Sequence, residues 1–359
     1  MGNRYIALDA FRGITIALMI LVNTPGSWSA VYAPLLHADW HGVTPTDLIF
    51  PFFLFIIGSA LYFAFSKTNF EVSSSALNKI LKRTVIIFAL GLALNAYSHS
   101  GPLSDLRIMG VLQRLGIAYG VAAVMVLLLS SRQLLWCGGA LLLGYWGIML
   151  LGAEQPYSLH HNIVREVDIA VLGATHLWQG KGLAFDPEGL LSTIPAVVNV
   201  LVGFGATKVL AGCADKVAAI KKLLLGAIVL IAIALLWDQW MPINKSLWTS
   251  SYVLFSSGCA LVVLSFFIWL VDMCQQLKLV DPLLVYGTNP MFIYVLSWIW
   301  TATYSFIDMG DITAYAYLYN LFALVMPAKL ASFSFALFHV ILFWFISSLL
   351  YKRNIIIKV

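Results

Sequence analysis

Charged residues are scarce in this sequence. Asp, Glu, Lys and Arg together make up 10% of the 359 residues, whereas a soluble globular domain carries about 25%. Hydrophobic residues reach 61%. The composition therefore excludes an ordinary soluble protein and predicts an integral membrane protein. The formal net charge of +5 is small and does not imply a nucleic-acid partner.

Several functional patterns are also missing. The four cysteines show no CxxC or zinc spacing, so neither a redox nor a metal site is expected. There is no glycine-rich phosphate loop, which leaves nucleotide hydrolysis without support. The N-terminal stretch has no small-residue cleavage site, so we expect a retained cytoplasmic start and not a signal peptide. Because no repeat or low-complexity linker divides residues 1–359, we predict a single transmembrane domain.

Apolar runs long enough to cross a bilayer recur through the chain. A spanning helix needs about 20 mostly apolar residues. Ten segments meet this requirement: 10–25, 45–66, 80–98, 108–130, 133–152, 189–211, 218–237, 247–271, 283–303 and 333–351. A weaker stretch at 312–326 is rich in Tyr and either spans the membrane or lies on it. The sequence therefore predicts an all-α, polytopic bundle of about ten transmembrane helices.

The distribution of Lys and Arg predicts which side of the membrane each loop occupies. Cytoplasmic loops are enriched in basic residues. With both termini in the cytoplasm, all but six of the 21 Lys and Arg residues lie on that side, including Arg4 and Lys358. Only an even number of spans keeps the basic C-terminus there, which favours ten spans over eleven. External loops are then expected at about 24–44 and 153–188.

The first external loop carries the ionisable residues that most need an explanation. From His37 onwards it reads HADWHGVTPTDLIFPFFLFIIG, with two histidines and two aspartates against an apolar run. Such groups at a membrane boundary often mark a site that handles a substrate, ion or proton. Thr44, Pro45 and Asp47 also form a good helix start. That helix start leaves His37 and His41 unexplained, and since they lack a third metal ligand, we expect proton transfer or nucleophilic chemistry without a metal.

Polar side chains also occur inside the predicted spans. Arg107 and Arg114 are seven residues apart, so on one continuous helix they share a face, with Arg114 about 10 Å further along. Arg107 can snorkel to the interface, whereas Arg114, next to Gln113, requires a polar cavity or a partner. Asn289 precedes Pro290 in an apolar run, which predicts a kinked helix lining a pocket. A hydrogen bond between helices is the structural alternative for Asn289.

The motifs, taken in order, resemble a known family. RYIALDAFRGITIALMILVN, HADWHGVTPTDLIFPFFLFIIGSA and LRIMGVLQRLGIAYG are similar to successive signatures of heparan-alpha-glucosaminide N-acetyltransferase and its bacterial relatives. DPEGLLSTIPAVVNVLVGFGATK, INKSLWTSSYVL and LLYKRNIIIKV resemble later segments of the family. The resemblance implies transfer of an acetyl group from cytoplasmic acetyl-CoA to the amine of an external glucosamine-type sugar. The resemblance leads us to expect a bacterial member without the family's extra N-terminal domain, a multi-pass protein of the inner membrane.

The resemblance also implies roles for individual residues. It assigns His37 as the reacting residue, either as nucleophile or as general base. Asn23 matches a family asparagine, and we expect it or a backbone amide to stabilise the developing oxyanion, while Asp47 orients His37. The predicted donor-binding residues are Arg114, Gln113, Asn289 and Arg107. The predicted acceptor-binding residues are Trp40, His176, Asp186, Glu188, Asn244 and Lys245.

Alternative interpretations stay open. A transporter of sugars or organic anions also needs polar groups near the membrane centre and kinked helices, although it does not need the external histidine. An O-acyltransferase of envelope glycans would act on a hydroxyl group. A homodimer is compatible with either enzyme. Trp40, Trp178, Trp240 and Trp248 can stack on sugar rings, but an interfacial aromatic belt is the favoured interpretation.

Overall fold

The described part of the chain is almost entirely helical. The computed structural model describes residues 5–357, so Arg4 and Lys358 lie outside the described residues. Within them, a hairpin of two short antiparallel strands, β1 Asp308–Met309 and β2 Ile312–Thr313, accompanies thirteen α-helices. The helices are α1 Ile6–Asn23, α2 Ile49–Ser66, α3 Ser74–Ser98, α4 Val111–Leu128, α5 Ser131–Gly152, α6 Ile163–Leu172, α7 Thr193–Gly212, α8 Lys216–Trp237, α9 Ser250–Ile268, α10 Leu277–Thr288, α11 Pro290–Phe306, α12 Ala314–Ala323 and α13 Ala328–Lys352.

The number of helices that can span a membrane agrees with the prediction. Nine of the described helices are long and apolar enough, and the bent pair α10 and α11 makes a tenth if it is one span. The predicted all-α, polytopic membrane fold is therefore confirmed. The ambiguous stretch at 312–326 contains α12, which has ten residues. At 1.5 Å per residue, such a helix covers about half of a hydrocarbon core of ~30 Å, so α12 alone does not cross it.

A sharp bend separates α10 from α11. The two helices meet at 73°, and the residue between them, Asn289, has φ −127° and ψ 51°, outside the helical region. Pro290 has no N–H to continue the helix, which accounts for the break. The predicted kink is confirmed. The buried Asn289 side chain donates to the carbonyl of Ile355 at 2.9 Å and accepts the N–H of Ile357 at 2.8 Å.

Contacts divide the described chain into two compact units. Unit 1 contains the described residues of Met1–Ala38, Thr44–Ile49 and Phe267–Val359, and unit 2 contains Asp39–Val43 and Phe50–Phe266. In unit 1, α1 packs along α10 and also contacts α13. In unit 2, α3 packs along α4, and α7 contacts α4, α5 and α8. The single transmembrane domain stays a prediction.

Helices α2 and α7 of unit 2 approach each other at two glycines. A Cβ atom at Gly58 would lie 1.8 Å from the carbonyl oxygen of Val200, and one at Gly203 would lie 1.9 Å from that of Phe55. The Ser59 hydroxyl donates to the carbonyl of Gly203 at 3.3 Å. The two backbones therefore touch directly, as small residues allow in membrane helix pairs.

This crossing generates a prediction about stability. Gly203→Ala places a methyl group against the α2 backbone, so we expect a loss of roughly 1–3 kcal/mol, as for other overpacked cores. Gly205→Ala is the matched control, because a Cβ atom at Gly205 would meet nothing within 4 Å. Thermal unfolding in detergent should show a lower Tm for Gly203→Ala alone. Equal melting temperatures for the two variants would contradict the close approach.

Candidate active site

Asp47 begins a helical turn and holds His37 at the same time. The turn Pro45–Leu48 leads directly into α2. Asp47 Oδ2 accepts the backbone N–H of Thr44 at 2.9 Å and its hydroxyl at 3.1 Å. The N–H of Ala38 reaches the same oxygen at 3.1 Å. The predicted helix start is therefore confirmed, and the carboxylate also ties the His37 segment to it.

The His37 ring lies against the other carboxylate oxygen. His37 Nδ1 is 2.7 Å from Asp47 Oδ1, and the Asp47 side chain is 1% exposed whereas that of His37 is 48% exposed. Because a carboxylate accepts, Nδ1 carries the proton and Nε2 is the basic atom. The arrangement can support acid–base or nucleophilic chemistry at Nε2. Asn23, the last residue of α1, is exposed within the same unit, and its oxyanion role stays a prediction.

Trp40, His41 and Asn244 belong to unit 2, where the segment Asp39–Val43 contacts two loops. Trp40 Nε1 donates to the carbonyl of Tyr157 at 2.7 Å. His41 Nδ1 lies 3.3 Å from Nδ2 of the buried Asn244. Burial lowers the pKa of His41, although the charge of Asp238 partly opposes this effect. These contacts shape the surface of unit 2, and acceptor binding by Trp40 and Asn244 stays a prediction.

An ion-pair cluster, here called the Arg107 cluster, consists of Arg107, Asp186 and Glu188. The guanidinium donates to both oxygens of the buried Asp186 at 2.6 and 2.8 Å and to Glu188 at 2.7 Å. Burial lowers the pKa of Arg107, but the two carboxylates outweigh burial and raise that pKa above its ordinary value. Nearby, His176 Nδ1 donates to the carbonyl of Leu106 at 2.7 Å. These bonds join the loop before α4 to the loop before α7.

The predicted shared helix face of Arg107 and Arg114 is wrong. Helix α4 begins at Val111, so Arg107 lies in the preceding loop. Gln113 donates to the carbonyl of Ile108 at 2.9 Å, back across the start of the helix. Arg107 instead pairs with the loop before α7 through the Arg107 cluster.

Arg114 is enclosed on every side within unit 2. Its Nη2 donates to the carbonyl of Gly189 at 3.1 Å and to the hydroxyl of Ser192. Its Cζ lies 4.6 Å from the centre of the Trp248 ring, a cation–π contact. Arg114 is 0% exposed. Its Nε and Nη1 have no hydrogen-bond partner among the described residues, so two strong donors remain for a ligand or for water.

Trp248 differs from both interpretations of the sequence. It is wholly buried, and its Nε1 donates to Asn199 Oδ1 at 3.0 Å. Its φ of 51° is rare for a bulky residue. Neither an interfacial belt nor stacking on a sugar fits a ring enclosed in this way. Trp248 instead supports the Arg114 guanidinium.

The remaining predicted residues have these surroundings. Asn289 binds the chain after α13, as described above. Gln113 is buried. Lys245 is half-buried. Donor binding by Gln113, Asn289 and Arg107 and acceptor binding by His176, Asp186, Glu188 and Lys245 stay predictions.

Sequence reasoning did not single out Asp168 of α6. Its Oδ1 accepts the N–H groups of Leu190 and Leu191 at 3.0 and 3.2 Å, and its buried Oδ2 has no partner among the described residues. A Cβ atom at Gly189 would lie 1.7 Å from Oδ2. Burial raises the pKa of Asp168 to about 6, although the N–H of Leu191 and the charge of Arg114 act to lower it. The signal in the sequence was that Asp168 has an apolar residue on each side in IVREVDIAVL.

The raised pKa generates a prediction. The folded state holds the Asp168 proton more tightly than the unfolded state, so the free energy of unfolding falls as pH rises from 3.8 to about 6. The effect is roughly 3 kcal/mol at about 1.4 kcal/mol per pH unit. Asp168→Asn should gain Tm relative to the wild type as pH is raised from 4.5 to 7.5. Glu166→Gln, on the exposed side of α6, should show no such trend, and parallel behaviour of both variants would contradict the assignment.

Comparisons with known proteins agree with the motifs. Residues 4–169 match the sequence model of a family described as "Heparan-alpha-glucosaminide N-acetyltransferase, catalytic". The human protein named heparan-alpha-glucosaminide N-acetyltransferase is 31% identical over 81% of this chain and 52% of its own length. For the mouse protein of the same name the values are 29%, 82% and 53%. The chain thus spans about half the length of these curated relatives.

Proposed function

The chain is related to the heparan-alpha-glucosaminide N-acetyltransferase family, and on that premise we propose that it is an acetyl-CoA-dependent N-acetyltransferase of a bacterial inner membrane. The acceptor is the amine of a glucosamine-type sugar on the external side. The matched residues 4–169 contain His37, Asp47 and Arg114. The polytopic fold provides a scaffold that reaches both sides of a bilayer, as transfer between two compartments requires.

One observation carries the proposal, namely the pairing of a half-exposed His37 with a buried Asp47 at 2.7 Å. The carboxylate keeps the proton on Nδ1 and stabilises the positive charge that the ring gains when Nε2 reacts. Because Asp47 is also bonded to Ala38 and Thr44, it cannot turn away from the ring without leaving backbone donors unpaired.

Two routes use the same nitrogen atom. In the first, Nε2 attacks the thioester carbon, the carbon–sulfur bond breaks, and coenzyme A leaves as its thiolate. The sugar amine then attacks the acetyl-imidazole, the bond to Nε2 breaks, and the proton lost by the amine goes to the thiolate. In the second, Nε2 takes the proton from the amine while the amine attacks the thioester directly, the carbon–sulfur bond breaks, and Nε2 passes the proton to the leaving thiolate. Both routes end with an N-acetylated sugar and coenzyme A.

Among the residues predicted to bind the acetyl donor, Arg114 has the strongest support. Arg107, Gln113 and Asn289 already bind protein groups, whereas Arg114 keeps two buried donors without a partner among the described residues. A carbonyl or phosphate oxygen is a natural acceptor for such guanidinium donors. We assign Arg114 to the donor on this ground.

On the acceptor side, we assign the surface of unit 2 that contains Trp40 and Lys245, with the buried Asn244 beneath it, together with the loop that contains His176, Asp186 and Glu188. Hydroxyl groups of a sugar suit the amide and charged groups of this set. The Arg107 cluster gives the surface a fixed shape, because its ion pairs join two loops.

The first test is acetyl transfer itself. Purified protein, labelled acetyl-CoA and glucosamine should yield N-acetylglucosamine, and His37→Ala should reduce the rate to background because Nε2 is lost. His161→Ala, which removes another exposed imidazole, should retain the wild-type rate, and equal Tm values should show that both variants fold. Full activity of His37→Ala would rule out the mechanism. Acetylation of N-acetylglucosamine would indicate an O-acyltransferase instead.

A second test concerns the carboxylate. Asp47→Asn removes the negative charge and its preference for Nδ1–H, so we expect the rate constant to fall by about 10²–10⁴. Asp39→Asn changes an exposed acid close in sequence and should have little effect on the rate. A rate unchanged in Asp47→Asn would mean that His37 acts without this partner.

The wild-type protein distinguishes the two routes. Label retained on wild-type protein without acceptor would support the acetyl-histidine route.

A further inference from the structure

An apolar groove opens in unit 1 beside the first turn of α13. Its walls include Leu21 and Val22 of α1, Leu35 of the following loop and Phe333 of α13. Lys329 also lines the groove and is exposed. It is the one charged residue among the described residues that form the walls.

Hydrogen bonds hold the groove in shape. The Ser332 hydroxyl accepts the N–H of Ser27 at 3.1 Å and donates to its carbonyl at 3.2 Å. The N–H of Gly26 reaches the carbonyl of Ser332 at 3.3 Å, and the Tyr315 hydroxyl donates to the carbonyl of Pro25 at 2.7 Å. The loop is therefore fixed against α13 and α12, and the groove is preformed.

The surroundings of the groove are those of a lipid–water interface. Helix α13 has 25 residues and can cross a membrane, so its second residue, Lys329, lies near the lipid headgroups. In the same loop, Trp28 is 62% exposed and Tyr32 is 40% exposed. Exposed Trp and Tyr are enriched at that level of the bilayer.

We propose that the groove binds one acyl chain of an anionic phospholipid of the bilayer, with its phosphate at Lys329. The apolar walls match a hydrocarbon chain, and the single cation at the rim matches a phosphate with a further negative charge in the headgroup. Leu35 lies two residues before His37, so a bound lipid also supports the segment that leads to the reacting residue. The proposal concerns binding alone and does not depend on acetyl transfer.

Binding of two lipids to the full chain tests the proposal. Phosphatidylglycerol and phosphatidylcholine with identical chains are added to the detergent-purified protein. Native mass spectrometry then measures the ratio of the two lipids in the complex that carries one bound lipid. The wild type should prefer phosphatidylglycerol. Lys329→Ala should reduce that preference about fivefold, while Lys278→Ala, an exposed lysine of the same unit outside the groove, should leave it unchanged.

A second variant tests the apolar part. Val31 also lines the groove. Val31→Trp should obstruct the groove and weaken the binding of both lipids, with Tm measurements to show that the protein folds. If Lys329→Ala keeps the full preference for phosphatidylglycerol, the proposal is wrong. Wild-type binding of both lipids by a folded Val31→Trp protein would also overturn it. Should Val31→Trp fail to fold, the lysine pair alone decides.

Discussion

The Asp47 carboxylate accepts hydrogen bonds from the His37 ring, from the N–H groups of Ala38 and Thr44 and from the Thr44 hydroxyl. One buried carboxylate thus caps a helical turn and holds Nδ1 of an imidazole. Since α2 is long and apolar enough to cross the membrane, the chemistry of His37 is tied to a transmembrane helix start. A change that weakens the helix start would also release the ring, so stability and reactivity are coupled at this residue.

Local rules explain which features could be predicted from the sequence. Apolar length alone located the spans, and the missing N–H of Pro290 located the bend after Asn289. The helix start at Thr44 and Asp47 follows from spacing within one turn. His37 and His41 stood out because ionisable residues beside an apolar run are costly, and the family resemblance then selected His37. Each of these signals lies within about ten residues of the feature it predicts.

Partners far apart in the sequence explain what could not be predicted. Arg107 pairs with residues about 80 positions away. No periodicity in the sequence reveals that Arg107 lies in the loop before α4 and not in the helix. The buried Trp248 contacts Arg114 through its ring and donates to Asn199 from its Nε1. Asp168 was not singled out, and only the hydrogen bonds from the N–H groups of Leu190 and Leu191 show it as a buried carboxyl. Long-range polar contacts of this kind need the assembled fold.

Residues that follow α13 bind Asn289, at the bend that Pro290 introduces between α10 and α11. The Asn289 amide donates to the carbonyl of Ile355 and accepts the N–H of Ile357. The segment after α13 thus binds the residue at which the two helices meet. Removing this segment would leave a donor and an acceptor of a buried amide without partners, at a cost of about 1–3 kcal/mol each. The segment after α13 therefore stabilises unit 1, and a truncated or tagged variant has to retain Ile355 and Ile357.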